Sequence, residues 1–396
     1  MGICPSKSQR QINPSSPVIL PDDLIAEVLS FLDVKSITRL KCVSKSWYSL
    51  LSDSFFVKLH LDKSSQKPHL AVFNTQFSTQ HARLTAFSLH RLLENQSTTV
   101  SIDDYTNYRM TMDNKYYRTV GSCNGLFCLL RYSKTEEYQE FSLRFWNPAM
   151  RSLTDELTSI SISCKDTYPV FEFSFGYDNL TNKYKVVAFR PSDVRVLTLG
   201  DNNVWRNIQS FPVIPYLRIS LNGGVYVSNS LVWFALRNKG YDAYDQWDNL
   251  NPTIDQFVII SLDLGTETYT QMLPPRDVDE VPLFMPIVSV LMNCLCFSHC
   301  SKENNFVIWQ MREFQDEASW TKLFKFSYQN IYHVNGHFGY RHLLPLHFFG
   351  DSLILASNGR QVVLYNRREN KVEARTTNAY SWCFAKHYVE SLVSTF

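Results

Sequence analysis

The sequence predicts a small three-helix module followed by an all-β body, a β-propeller of about six blades. Three observations predict it. Residues 18–51 carry apolar side chains at helical spacing. From His69 onward the chain breaks into short apolar runs separated by turn residues, and 14% of all residues are aromatic, the composition of strands rather than helices. Those runs recur in units of roughly forty to fifty residues, the length of one propeller blade.

In the helical stretch, Pro21 sits in the first turn, where its missing N–H costs nothing. Asp22, Asp23 and Glu27 face the positive end of the helix dipole. Leu24, Ile25, Val28, Leu29 and Leu32 make one apolar stripe. Ile37, Leu40 and Val43 predict a second short helix, and Ser44 is the expected N-cap of a third that carries Trp47, Leu50 and Leu51 on its inner side. So short a unit cannot bury this much apolar surface by itself, so part of it must face another molecule.

The organisation expected is a disordered leader over 1–17, the helical module over 18–61, a polar junction over 62–68, and the β body over 69–396. Within the body, Tyr117–Tyr132 reads as a hairpin about Asn124-Gly125, the pair that supplies the positive φ angles of a type I′ turn. Later units begin near Phe173, Gly224, Leu291 and Leu353. The run from Trp382 to Val389 is expected to share a blade with strands near Leu70–Phe73, closing the ring and removing free strand edges.

The helical stretch resembles an F-box. Leu20-Pro21, the Ile25/Val28/Leu29/Leu32 stripe and the run Lys41-Cys42-Val43-Ser44-Lys45-Ser46-Trp47 stand in the order and spacing of that family, with Asp33 where many members carry Pro. GSCNGLFCL, FWNP, FGYD with YKVV, VWRNI, GGVYV with LVWFAL, IISLDLGTETY, SWTKLF and VVLYN are similar to the plant F-box-associated domain (type 1, F-box/kelch-repeat-like), which includes relatives of the S-locus F-box proteins. Gly223-Gly224 is the only glycine doublet, whereas kelch blades usually each carry one. The resemblance implies a non-catalytic substrate-recognition subunit of a Skp–cullin–F-box ubiquitin ligase. Its partners would be a Skp-type adaptor, a cullin reached through that adaptor, and an unknown target protein. A non-degradative scaffold and a glycan-binding propeller are the alternatives. The adaptor contacts expected are Leu20, Pro21, Leu24, Ile25, Val28, Leu29, Leu32, Val34, Ile37, Cys42, Val43 and Trp47, some of which must instead tie the helices together.

Two polar segments rich in aromatics, 240–253 and 328–341, are the expected target-binding loops, with Tyr241, Tyr244, Trp247, Tyr332, His337 and Tyr340 as their contacts; the alternative is that these rings fold back into local core. A net charge of +2 gives no electrostatic bias toward nucleic acid, and none is expected as a partner. Nine scattered cysteines without a secretory signal read as reduced thiols of a cytoplasmic or nuclear chain. Cys294, Cys296, His299 and Cys300 lack a paired C-x₂-C spacing and read as strand core, so no metal is expected. No phosphate loop, nucleophile elbow or zinc-helix spacing occurs, and no cofactor is expected. Gly2 and Cys4 fit a dual acylation pattern beside Lys7 and Arg10, and membrane association is expected only if they are acylated.

Overall fold

Side-chain caps open three of the four short helices described over residues 20–67. In the computed structural model, which describes residues 20–67, 69–76, 81–94, 99–100, 106–112, 116–166, 170–216, 223–238, 247–327, 343–358, 361–377, 382 and 385–395, helix α1 spans Asp22–Leu29 with Pro21 at its N-cap. The Pro21 carbonyl accepts from the Leu24 and Ile25 amides. Asp33 caps α2 (Val34–Leu40) by accepting from the Ser36 amide, and that bond holds its carboxyl below the ordinary value. Proline at this position could not do the same. Ser44 caps α3 (Lys45–Ser52) through the Trp47 amide, as its place in the sequence predicts.

Asp53 then caps a fourth helix, α4 (Ser54–Ser64), that runs through residues assigned in part to the junction. Only residues 65–68 separate α4 from the first strand, His69–Gln76.

The body is a six-bladed propeller: among the described residues four sheets have four strands and two have five. Blade 1 holds His69–Gln76, His81–Ser88 and Thr106–Met112, with Lys386–Tyr388 paired antiparallel on its inner side. The strand from far along the chain thus closes the ring against Leu70 and Ala71, as expected. Blade 2 runs from Tyr116–Cys123 to Ser159–Ser163, blade 3 from Glu172–Asp178 to Trp205–Ile208, and blade 4 from Val225–Val227 to Tyr269–Met272. Blade 5 runs from Ile287–Leu291 to Trp320–Ser327, and blade 6 from Leu344–Phe349 to Lys371–Thr377, which also pairs in parallel with Thr99–Val100. Asn124 and Gly125 have φ of 51° and 80°, the left-handed pair that the hairpin of blade 2 requires.

The aromatic richness has a structural use, because a ring pair bridges every seam between blades. These pairs are Phe127–Tyr388, Phe145–Phe175, Phe189–Trp233, Phe234–Phe297, Phe326–Tyr365 and, in imidazole form, His347–His387, with centroids 4.4 to 6.2 Å apart. Large flat side chains fill the wedge between two twisted sheets and add directional contacts to the area they bury.

A buried ion pair ties blade 3 to blade 4. The Lys185 ammonium lies 3.0 Å from the Asp178 carboxylate and 3.0 Å from Glu267, and Glu267 also pairs with Arg206. Burial opposes charge on Asp178, but hydrogen bonds from Thr181, Lys185 and the Leu180 amide outweigh it and lower its pKa. Asp178→Ala should cost about 2 kcal/mol, read as a lower urea midpoint, because it strips a buried cation of one partner. A lowered carboxyl pKa contributes stability above the ordinary carboxylate range and loses it as pH falls through the folded value. The gap between wild type and variant should therefore close on acidification.

Candidate functional site

The helical module sorts its apolar side chains into two sets. Ala26, Leu29, Val34, Ile37, Leu51 and Phe56 are buried together, with Ile25, Leu40, Trp47, Leu50 and Val57 packed around them. Leu29, Val34 and Ile37 were among the expected adaptor contacts. They instead form the module's own core, with Val34 and Ile37 fully enclosed. Both sets are apolar, so periodicity gives each the same signal.

The second set points outward. Leu24 and Val28 stand one turn apart on α1, Leu20 precedes the helix and Phe31 follows it, and each of the four is more than half exposed. Leu32, Val43, Tyr48 and Phe55 are exposed too, and so are Pro21 and Cys42. Of the fifteen large hydrophobics exposed among the described residues, these eight (Leu20, Leu24, Val28, Phe31, Leu32, Val43, Tyr48 and Phe55) fall within 20–55. Scattered exposed apolar side chains need no explanation, but a cluster on a module with a filled core marks a docking face. Phe31, Tyr48 and Phe55 were missed in the sequence. For Phe31 the signal was present, an apolar residue three positions after Val28.

Polar contacts brace this face from behind. Lys63 of α4 reaches Glu27 at 2.9 Å and lies 4.6 Å from the centroid of the Phe31 ring. His60 is buried, its Nε2 2.9 Å from the Leu32 carbonyl, and burial lowers its pKa from the ordinary 6.5. The neutral tautomer with Nε2–H donates that bond. A lowered histidine pKa leaves the module's stability intact above 6.5 and erodes it as pH falls through the folded value, because the unfolded chain takes up the proton first. Protection factors of the α1 and α4 amides, with the intrinsic pH dependence of exchange divided out, should therefore fall between neutral and mildly acidic pH, and His60→Gln should suppress most of that change.

The expected target contacts divide differently. Tyr241, Tyr244, Tyr332, His337 and Tyr340 lie outside the described residues, as do Gly2 and Cys4. Trp247 is described, and it is core: 6% exposed, packed on Phe234 and Phe257, with its indole N–H donating to the Pro282 carbonyl at 3.2 Å. It is not available to a partner. Cys296 and Cys300 are likewise buried, which pushes their thiols up to about 12 and about 11, and the His299 ring takes the Trp309 indole N–H.

Strand direction fixes which face of the propeller each connection leaves. Arg118 pairs with Glu172, Gly121 abuts Phe175, Gly224 abuts Ser174, and Tyr226 packs on Gly176 while donating to the Tyr177 carbonyl. Residue numbers rise together along these contacts, so neighbouring inner strands run parallel. The turns at 124–125 and 148–151 therefore share one face, and Ala149 and Met150 from the second turn pack against the helical module there. Leu236 and Phe257, which flank one expected binding segment, end on the opposite face. So do Ser327 and Leu344, which flank the other.

Among the described residues no helix is long and apolar enough to cross a membrane. Comparison with known proteins agrees with the two-part architecture. A profile for the F-box domain matches residues 19–59, and a type-3 profile for the F-box associated beta propeller domain matches 72–232. An F-box/kelch-repeat protein of Arabidopsis thaliana is 27% identical over 390 residues, 96% of each chain. The Arabidopsis F-box protein CPR1 is 26% identical over 407 aligned positions, covering 94% of this chain and 88% of its own. Helices, propeller and both profiles converge: the chain belongs to the F-box proteins that carry an F-box associated β-propeller domain.

Proposed function

We propose that this chain is the target-recognition subunit of a Skp–cullin–F-box ubiquitin ligase. The observation that carries the reading is the exposed Leu20–Leu24–Val28–Phe31 face on a module whose core is already filled. A Skp-type adaptor would cover it with an interface of standard size, roughly 1,600 Å². The chain performs no bond chemistry in this reading. It holds a target near the ubiquitin-charged enzyme, and the acceleration is proximity.

The target would bind on the propeller face opposite the helices, where the strands flanking 239–246 and 328–342 end, through Tyr241, Tyr244, Tyr332, His337 and Tyr340. Contact-rich aromatics on loops suit protein recognition. Affinity purification of the tagged chain from plant cells under proteasome inhibition, followed by mass spectrometry, should recover a Skp adaptor, a cullin and an enriched third protein. Partners recovered without any adaptor would overturn the reading.

A further inference from the structure

The segment after the closing strand sits between the two parts of the molecule. Asn147, fully buried at the blade 2 turn, donates its amide hydrogens to the Ser391 carbonyl at 3.1 Å, the Ser391 hydroxyl at 3.3 Å and the Val393 carbonyl at 2.7 Å. The Tyr388 hydroxyl accepts from the Ala149 amide at 3.2 Å. Gly125 lies so close that an added Cβ would stand 2.4 Å from both the Ser391 hydroxyl and the Val389 carbonyl, at a φ of +80° that already excludes most residues. Glu390 is held by the Tyr108 hydroxyl at 3.0 Å and stands 3.6 Å from His69.

The two side chains that follow point to different parts. Leu392, 4% exposed, enters the core of the helical module beside Leu29, Ile37, Leu51 and Phe56, with Ala149 and Met150 of the propeller at its edge. Val393 packs on the core between blades 2 and 3. The two residues are consecutive, so one short stretch of backbone grips two bodies at once. The covalent junction between those bodies is only residues 65–68, which shortens the tether without fixing its angle.

We infer that residues 390–393 are positioning residues that lock the F-box module onto the propeller in one orientation, with Asn147 as the anchor of the lock. The consequence rests on the ligase reading above: the distance from adaptor to captured target is then set by the thickness of the propeller and not by a flexible linker. A rigid receptor narrows which lysines of a target reach the ubiquitin-charged enzyme, and orientation of this kind is where proximity acceleration comes from.

The test is a distance measurement that needs neither adaptor nor target. Spin labels carried by non-canonical residues at Lys45 on α3 and Val204 on blade 3, both exposed, should give one narrow distance distribution in the full chain. Asn147→Ala and Leu392→Asp should each broaden it into several populations, while Leu392→Met restores the single peak. Asn147→Ala removes no atom from the helical core, so hydrogen-exchange protection of α1–α4 should persist in it. A distribution as narrow as wild type in Asn147→Ala and in Leu392→Asp overturns the lock, and so does broadening of Asn147→Ala that comes only with lost helix protection. With a reconstituted adaptor and cullin, Asn147→Ala should keep wild-type adaptor affinity yet spread self-ubiquitination over more of the chain's lysines and slow it about tenfold. Failure to bind any adaptor would sink the ligase reading and leave the distance result standing.

Discussion

Aspartate at both Leu24 and Val28 should weaken binding to a plant Skp-type adaptor about a thousandfold while leaving the melting temperature of the chain nearly unchanged. Both side chains lie on the outer face of α1, 55% and 68% exposed, and neither belongs to the buried set. Burying a leucine and a valine in an interface contributes about 2 kcal/mol each, and carboxylates in their place add a desolvation cost that nothing offsets. Leu24 sits in the first turn, where a carboxylate even favours the helix dipole. Titration calorimetry paired with a thermal melt separates the two effects. Ile37→Asp is the contrasting variant: it should lose binding too, but through collapse of the helical core, visible as lost exchange protection across α1–α4. Wild-type affinity in the double variant would mean that the docking face lies elsewhere.

How much of this was legible in the sequence depends on whether the deciding signal is local. The Asn124-Gly125 hairpin, the Ser44 cap and the F-box motif are local, and all three are found in the structure where the sequence places them. The unit placed near Leu291 begins earlier, at Ile287–Leu291, and its first hairpin turns at Met292-Asn293, with φ of 52° and 58°. No glycine marks that turn, so the sequence reads a strand from Leu291 to Phe297 across the boundary between Ile287–Leu291 and Cys294–Cys300. The unit placed near Leu353 likewise begins earlier, at Leu344–Phe349, a strand whose pattern Pro345 and the bulge beside it interrupt. As an inner edge strand it needs no amide on its free side, which is where proline is tolerated. The inner and outer faces of the F-box could not be separated by pattern, because both must be apolar. Which is which follows only from what packs behind them, and part of that packing, Leu392, comes from more than three hundred residues away.

Trp247 shows the same limit from the other side. It lies beside a run of tyrosines and aspartates, a setting that in sequence suggests a binding loop, yet it closes the core between blades 4 and 5. Tyr216 meets its ring at 65°, Phe234 and Phe257 lie within 6.4 Å, and Val278, Val281 and Met285 belong to the same cluster. Trp247→Ala should therefore cost about 4 kcal/mol of stability, since the cavity it leaves is walled by side chains already engaged with each other. Its buried N–H partner, the Pro282 carbonyl, would also lose its donor. Chemical denaturation should show that loss, with the remaining folded fraction binding its target as wild type does. Tyr241→Ala, from the adjacent segment, should do the reverse under the receptor reading: little change in stability and a marked drop in target capture. If Trp247→Ala left stability untouched and abolished capture, the ring would belong to the binding surface after all, and the packing of blades 4 and 5 around it would have to be redrawn.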